Sequence, residues 1–266
     1  MNTKKIAILG GGNLGNSVAK GLMKSQFPPN QLWVTRRRVS MLEDLQNEGV
    51  NTGNDNFAAA EAADVIILAV KPAQARGVLQ EIKSALNENK ILISLVTGMS
   101  LESLEKEAGI SLPIFRAMPN TAVALQESMT CIACNACPDA QKELVEELFK
   151  CLGMVIFINE EMMAAATVLG ACGIAFALRF IRAAMQGGIE IGFGAEVALQ
   201  IAAQTVKGAT DLVLQTGHHP EREIDKVTTP MGITISGLNE MEHHGFSSAL
   251  IQGIRTSFNK VNNSNK

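Results

Sequence analysis

Two stretches of this chain combine residue types and spacings that can do chemistry. The first, Gly10-Gly11-Gly12-Asn13-Leu14-Gly15, fits G-x-G-x-x-G. In that pattern the first glycine permits a tight turn, the second lets the backbone approach a pyrophosphate, and the third lets a helix pack closely on a strand. The motif works only between a strand and a helix, where unbonded N–H groups and the helix dipole favour an anion. Ile6 to Leu9 reads as that strand and Gly15 to Lys24 as that helix. Past the next strand, Leu32 to Thr35, comes Arg36-Arg37-Arg38, where an NAD enzyme usually carries an acid for the ribose 2'-hydroxyl. Three guanidinium groups suit the 2'-phosphate of NADP, because arginine grips phosphate through paired hydrogen bonds. The expectation is a strong preference for NADPH over NADH; a solvated basic loop is the alternative.

The second stretch is Thr228 to Thr234, which holds a proline and a glycine just before the amphipathic run Thr234 to His244. It reads as a loop opening onto a helix, whose first N–H groups can hold a carboxylate. Thr234 offers a hydroxyl at that point, for chemistry or simply as a helix cap. Cys131, Cys134 and Cys137 form a C-x2-C-x2-C run that suggests a metal or cluster. No fourth ligand lies nearby and Cys131 looks like the inward end of a strand, so these thiols read as small buried hydrophobes and no metal is expected. His218-His219 and His243-His244 are adjacent pairs whose side chains diverge, and they read as surface residues. Ser94 and Ser236 have no evident triad partners.

The elements that must position these residues follow from periodicity. From Lys5 to about Ile158 short apolar runs alternate with amphipathic segments, the signature of a parallel sheet covered by helices. Val65 to Val70, Ile91 to Leu95, Ile114 to Ala117, Met129 to Ala133 and Met154 to Phe157 read as further strands, with helices such as Ser100 to Ala108 and Asp139 to Cys151 between them. After Asn159 the strand pattern stops and Ala-, Leu-, Ile- and Met-rich helical segments take over. The fold class is therefore α/β: a dinucleotide-binding domain over residues 1–159, then an all-helical domain over residues 160–266. The helical part is apolar enough to expect a second subunit over it, as an obligate dimer.

The chain has 266 residues, 47% apolar and 18% charged, with a net charge of -3. That balance gives no basic field for nucleic acid or anionic membranes. The apolar region Met162 to Phe180 is interrupted by Gly170, Gly173 and Arg179 and is expected to fall short of a membrane span. The N-terminal residues lack the features of a secretory signal, and five cysteines suit a reducing compartment, so a cytoplasmic location is expected. Asn259 to Lys266 is polar and expected to fray.

The glycine motif with Asn13-Leu14-Gly15, the strand end Ala69-Val70-Lys71-Pro72, Arg116-Ala117-Met118-Pro119-Asn120-Thr121, and Thr228-Thr229-Pro230-Met231-Gly232-Ile233-Thr234 stand in the order found in pyrroline-5-carboxylate reductases. The chain resembles that family nearly end to end. The resemblance implies a Rossmann domain followed by a helical domain that interlocks with a second subunit, with dimers sometimes assembling further. It implies NADPH-dependent reduction of a small cyclic imine, 1-pyrroline-5-carboxylate, to proline. Gly10, Gly12, Asn13, Leu14, Gly15, Arg36, Arg37, Asn56, Ala69, Val70, Lys71, Pro72 and Asn120 would then serve the cofactor. Thr229, Gly232, Ile233 and Thr234 would form a substrate loop contributed across the dimer, Thr234 would be the catalytic hydroxyl, and Glu160 would be a substrate-side acid. The sequence departs from the family at Ala171-Cys172-Gly173-Ile174-Ala175-Phe176, where glycine, serine, glycine, proline, alanine, tyrosine is usual, and at Lys226 and Met231. The missing proline puts the start of the central helix in doubt. A related oxidoreductase on another imine or a hydroxy acid, or an NADP-binding homologue without turnover, remains an alternative. A hydroxy-acid enzyme of this kind normally carries a helix lysine, and none lies between Met162 and Gly188.

Overall fold

Strands β1 (Ile6–Leu9), β4 (Val65–Leu68) and β5 (Ile91–Ser94) are buried throughout, as strands covered on both faces must be. The structure, a computed structural model, describes residues 4–264. With β2 (Leu32–Thr35), β3 (Asn51–Gly53), β6 (Ile114–Met118), β7 (Ser128–Cys134) and β8 (Gly153–Phe157) these strands form one sheet, in the order β3-β2-β1-β4-β5-β6-β7-β8. Alternation divides the side chains between two cores: Ile6 and Ile8 join one face with Phe115 and Phe149, while Ala7 and Leu9 join the other with Leu79 and Leu104.

Strands β1 to β6 run parallel, but β7 is antiparallel to β6 and β8 is parallel to β7. The expected parallel sheet is found over β1 to β6 and is corrected only at the β6–β7 pair. The β6–β7 connection contains only the 3-10 turn Thr121–Leu125, too short for the crossover that a parallel pair needs. Strand β3 was also not foreseen: Asn-Thr-Gly has no apolar run to announce it.

The helices of this part are α1 (Asn13–Lys24), α2 (Glu43–Asn47), α3 (Asn56–Ala62), α4 (Pro72–Ile82), α5 (Leu101–Ala108) and α6 (Asp139–Lys150). Local chemistry sets their ends. Pro72 fills the first turn of α4, where a missing N–H costs nothing. Ser100 caps α5 by accepting from the Ser103 N–H at 3.1 Å, and Gly109 ends it in the left-handed region. Lys90 is buried, and its Nζ donates to the carbonyls of Ala60, Glu61 and Ala63 at the end of α3. Burial pulls its pKa below the usual lysine value, partly offset by Asp64 and Glu61.

After β8 come α7 (Met163–Ala166), α8 (Gly173–Glu190), α9 (Ala195–Thr216), α10 (Pro220–Asp225), α11 (Ile233–His243) and α12 (Phe246–Ser264). The chain forms two compact units. One runs to Cys172 and takes in the chain again from Phe258; the other is Gly173–Ser257. Within the second unit α8 packs against α9, where a β-carbon on Gly188 would come within 3.0 Å of the Ala198 side chain. Phe180 and Phe246 meet edge to face, with ring centroids 6.1 Å apart. Ala198 and Ala202 are its only buried residues, while Leu178, Ile191, Ile201 and Leu214 are exposed.

Three expectations about the helical half are corrected. Glu160–Glu190 is one helical stretch of 31 residues, long and apolar enough by composition to cross a membrane. Gly170 and Gly173 do not break it, since a glycine costs a helix only about 1 kcal/mol relative to alanine. The doubtful segment resolves the same way. A π-helical turn, Thr167–Cys172, leads directly into α8, and Ile174 keeps the N–H that a proline would lack. Finally, α12 continues through Asn259 to Ser264 instead of fraying; residues 265 and 266 lie outside the described residues.

Candidate functional site

Sheet order reverses between β1 and β4, and such a switch point opens a crevice beyond the C-terminal strand ends. The glycine turn after β1 and the Ala69-Val70-Lys71 turn after β4 both lie there, lining a cleft of about 600 Å³. Gly10 has φ +111°, and a β-carbon on it would meet the Ala69 carbonyl oxygen at 2.7 Å, so only glycine fits. A β-carbon on Gly15 would lie 2.2 Å from the Gly10 carbonyl oxygen, which forces a bare α1 against the turn. At Gly12 a β-carbon would meet nothing within 4 Å. Its backbone therefore faces open space, the opening a pyrophosphate needs.

Arg36, Arg37 and Arg38 line the same cleft. Arg36 Nη1 donates to the Gly11 carbonyl at 2.8 Å, and its backbone N–H donates to the Gly53 carbonyl. One guanidinium edge thus braces the glycine turn. The Thr35 hydroxyl accepts from the Gly10 N–H at 3.3 Å and donates to Asn56 Oδ1 at 2.6 Å. Asn56 Nδ2 donates in turn to Glu81 Oε2 at 2.8 Å. Thr35 and Glu81 were both missed from sequence. Thr35 was within reach, as the strand residue directly before the arginines. Glu81 gave no signal, because only the position of α4 brings it to the cleft.

Of the residues expected at the cofactor, Gly10, Gly12, Arg36, Arg37, Asn56, Ala69, Val70 and Lys71 line this cleft. Asn13, Leu14 and Gly15 open α1 behind it, and Pro72 opens α4. Asn120 is placed elsewhere. It caps the turn after β6 by accepting from the Ala122 N–H at 2.9 Å, and its Nδ2 donates to the Gly170 carbonyl at 3.2 Å. Glu160 Oε1 accepts from the Leu101 N–H at 2.6 Å and from Arg116 Nη1 at 2.8 Å. Its carboxylate ties the first turn of α5 to the buried arginine of β6.

In the second unit, Thr229-Pro230-Met231-Gly232 forms a tight turn closed by the Gly232 N–H donating to the Thr229 carbonyl at 2.9 Å. Proline at the second position is usual in such a turn, and a positive φ at the third is normally met by glycine. Here the third residue is Met231, with φ 59° and its side chain fully exposed. Gly232 is required, since its β-carbon would lie 2.5 Å from Thr229 Oγ1. It is also the N-cap of α11. Thr234 therefore sits in the first helical turn and is not the cap. Its exposed hydroxyl stands beside first-turn N–H groups that point out of the helix.

All five cysteines are free and half-buried. Burial raises the Cys131 thiol, and burial together with hydrogen bonding to Cys134 pushes Cys137 up to about 12. Among the described residues no three potential ligands gather to hold a metal. His218 and His219 do diverge: His218 Nδ1 meets Glu223 Oε1 at 2.7 Å, while His219 Nδ1 accepts from the Glu221 N–H. Glu223 also receives Lys226, and these two partners lower its carboxyl pKa, Lys226 the more.

Comparison with known proteins gives two family matches, NADP oxidoreductase coenzyme F420-dependent over residues 5–98 and pyrroline-5-carboxylate reductase dimerisation over residues 160–264. Pyrroline-5-carboxylate reductase 1 of Dictyostelium discoideum is 50% identical over 269 residues, covering 96% of this chain; the chain spans 49% of that protein's length. Pyrroline-5-carboxylate reductase 2 of the same organism is 44% identical and is matched over 94% of its length and 99% of this chain. The crystal structure of Plasmodium falciparum pyrroline carboxylate reductase with NADP bound superposes with a TM-score of 0.92 at 26% identity, covering all of both chains. With its glycine-turn cleft, its threonine-bearing helical turn and these matches over nearly its whole length, the chain belongs to the pyrroline-5-carboxylate reductase family.

Proposed function

We propose that this protein reduces 1-pyrroline-5-carboxylate to L-proline with NADPH. The observation that carries the proposal is the cleft between the Gly10–Gly12 turn and Arg36–Arg38, with open space at Gly12 and three guanidinium groups on one wall. Reduced nicotinamide, when bound, supplies the hydride for the substrate C=N bond. The protein's own residues bind and orient. The glycine-turn N–H groups and the α1 N-terminus take the pyrophosphate. Arg37 and the edge of Arg36 turned away from Gly11 take the 2'-phosphate. Asn56 and the Ala69–Pro72 turn border the same ligand. The N–H groups at Ile233 and Thr234 hold the substrate carboxylate, with Thr229 and Gly232 closing the turn that presents them. The Thr234 hydroxyl donates to the ring nitrogen and relays its proton.

The working assembly in this proposal is a homodimer or a higher oligomer of dimers. Residues 1–159 serve the cofactor, and residues 160–266 serve dimerisation and substrate. The exposed apolar side chains of α8 and α9, and the dimerisation match over residues 160–264, support that division. Glu160 acts from the first unit by holding Arg116 and α5, and Asn120 acts by tying the turn after β6 to the π-helical turn. The five free cysteines suit the cytoplasm as the site of action. The test is an NADPH oxidation assay with pyrroline-5-carboxylate beside piperideine and hydroxy-acid substrates, with proline identified as product. Preferential turnover of pyrroline-5-carboxylate is expected, and turnover of a hydroxy acid alone would refute the proposal.

A further inference from the structure

We infer that Glu81 is a specificity-determining residue of the cofactor cleft, where its carboxylate weakens the preference for a 2'-phosphorylated over an unphosphorylated ribose. The inference rests on the cofactor reading above and assigns a role to a residue outside the glycine motif and the arginine run. Glu81 projects from α4 and lines the same cleft as Arg36, Arg37 and Arg38. A hydrogen-bond chain fixes its place. The Thr35 hydroxyl has a single proton and gives it to Asn56 Oδ1, which leaves Asn56 Nδ2 directed at Glu81 Oε2, 2.8 Å away. Reversing the amide would set its oxygen against the carboxylate oxygen, acceptor to acceptor, so Asn56 Nδ2 is the group that holds the carboxylate on the cleft wall.

The partner that holds it is a neutral amide, which leaves its negative charge uncompensated by that contact. A carboxylate in this part of a dinucleotide cleft does two opposite things. It accepts a hydrogen bond from a ribose 2'-hydroxyl, as the acid of NAD enzymes does, and it repels a 2'-phosphate. The cleft thus carries arginines of the kind an NADP site uses and a carboxylate of the kind an NAD site uses, on separate elements. Cofactor choice is set by their balance.

The test is the dissociation constant of NADPH and of NADH, read by nicotinamide fluorescence, for the unsubstituted protein, Glu81→Gln and Glu81→Ala. Glutamine keeps an acceptor for Asn56 and removes only the charge. In Glu81→Gln the ratio of NADPH to NADH affinity should rise by about 3- to 10-fold, and the rise should shrink at high salt. Glu81→Ala should raise the ratio at least as far, even if both constants weaken because Asn56 has lost its partner. A ratio unchanged or lowered in both variants would overturn the inference while leaving the cofactor reading intact. Failure of the unsubstituted protein to bind either cofactor would overturn both, and that result precedes any variant.

Discussion

The two units differ most in what a single chain can bury. The first covers its sheet on both faces, with two cores that include Phe115, Phe149, Leu79 and Leu104. The second buries only Ala198 and Ala202 while leaving Ile191, 78% exposed, and Leu214, 61% exposed, in contact with water. An apolar helical surface of that kind is stable only when covered, and the dimerisation match names a second copy as the cover. The contrast teaches that one chain completes the glycine-turn cleft but leaves an apolar helical surface uncovered. Under the proposed function it is the reaction site, not the cofactor cleft, that needs two chains.

That comparison can be broken or sharpened by substitution. The largest effect is expected from Thr234→Ala, which should lower turnover by about a hundred-fold or more while NADPH binding, measured by fluorescence, stays unchanged. Retained turnover would make the hydroxyl a bystander. Next comes Arg36→Gln, which removes the charged contact proposed for the 2'-phosphate together with the brace on the glycine turn. It should raise the KM for NADPH by about ten-fold or more and that for NADH far less; equal rises would place the phosphate elsewhere. Arg116→Met leaves Glu160 without its 2.8 Å partner and should cost about 1.5–3 kcal/mol in urea unfolding of the first unit. An unchanged midpoint would show the pair to be dispensable. The smallest effect is expected from Met231→Gly. It relieves a left-handed φ of 59°, so it should stabilise the turn by about 1 kcal/mol, read as a rise in melting temperature.

What the sequence made legible follows the same division. The glycine motif, the arginines and most strands could be read because each depends on local backbone demands: tight turns, close helix packing and continuous apolar runs. Gly10, Gly12 and Gly15 each meet the spatial requirement expected of them. Strand β3 was missed because its three residues are paired by their neighbours rather than by their own apolarity. The reversal at β7 was hidden in the shortness of a connection, which composition does not display. Glu81 and the Arg116–Glu160 pair join residues far apart in the chain, so no spacing rule reaches them. Thr234 was placed correctly at the opening of a helix, but Gly232 is the cap, because the turn closes one residue earlier than the amphipathic pattern suggests.

The most direct measurement follows NADPH binding and pyrroline-5-carboxylate reduction through a dilution series, with light scattering reporting the mass at each step. We expect turnover to vanish as the assembly falls to the 28.4 kDa chain, while the surviving single chains still bind NADPH. A single chain that reduces the imine at the full rate would contradict the account.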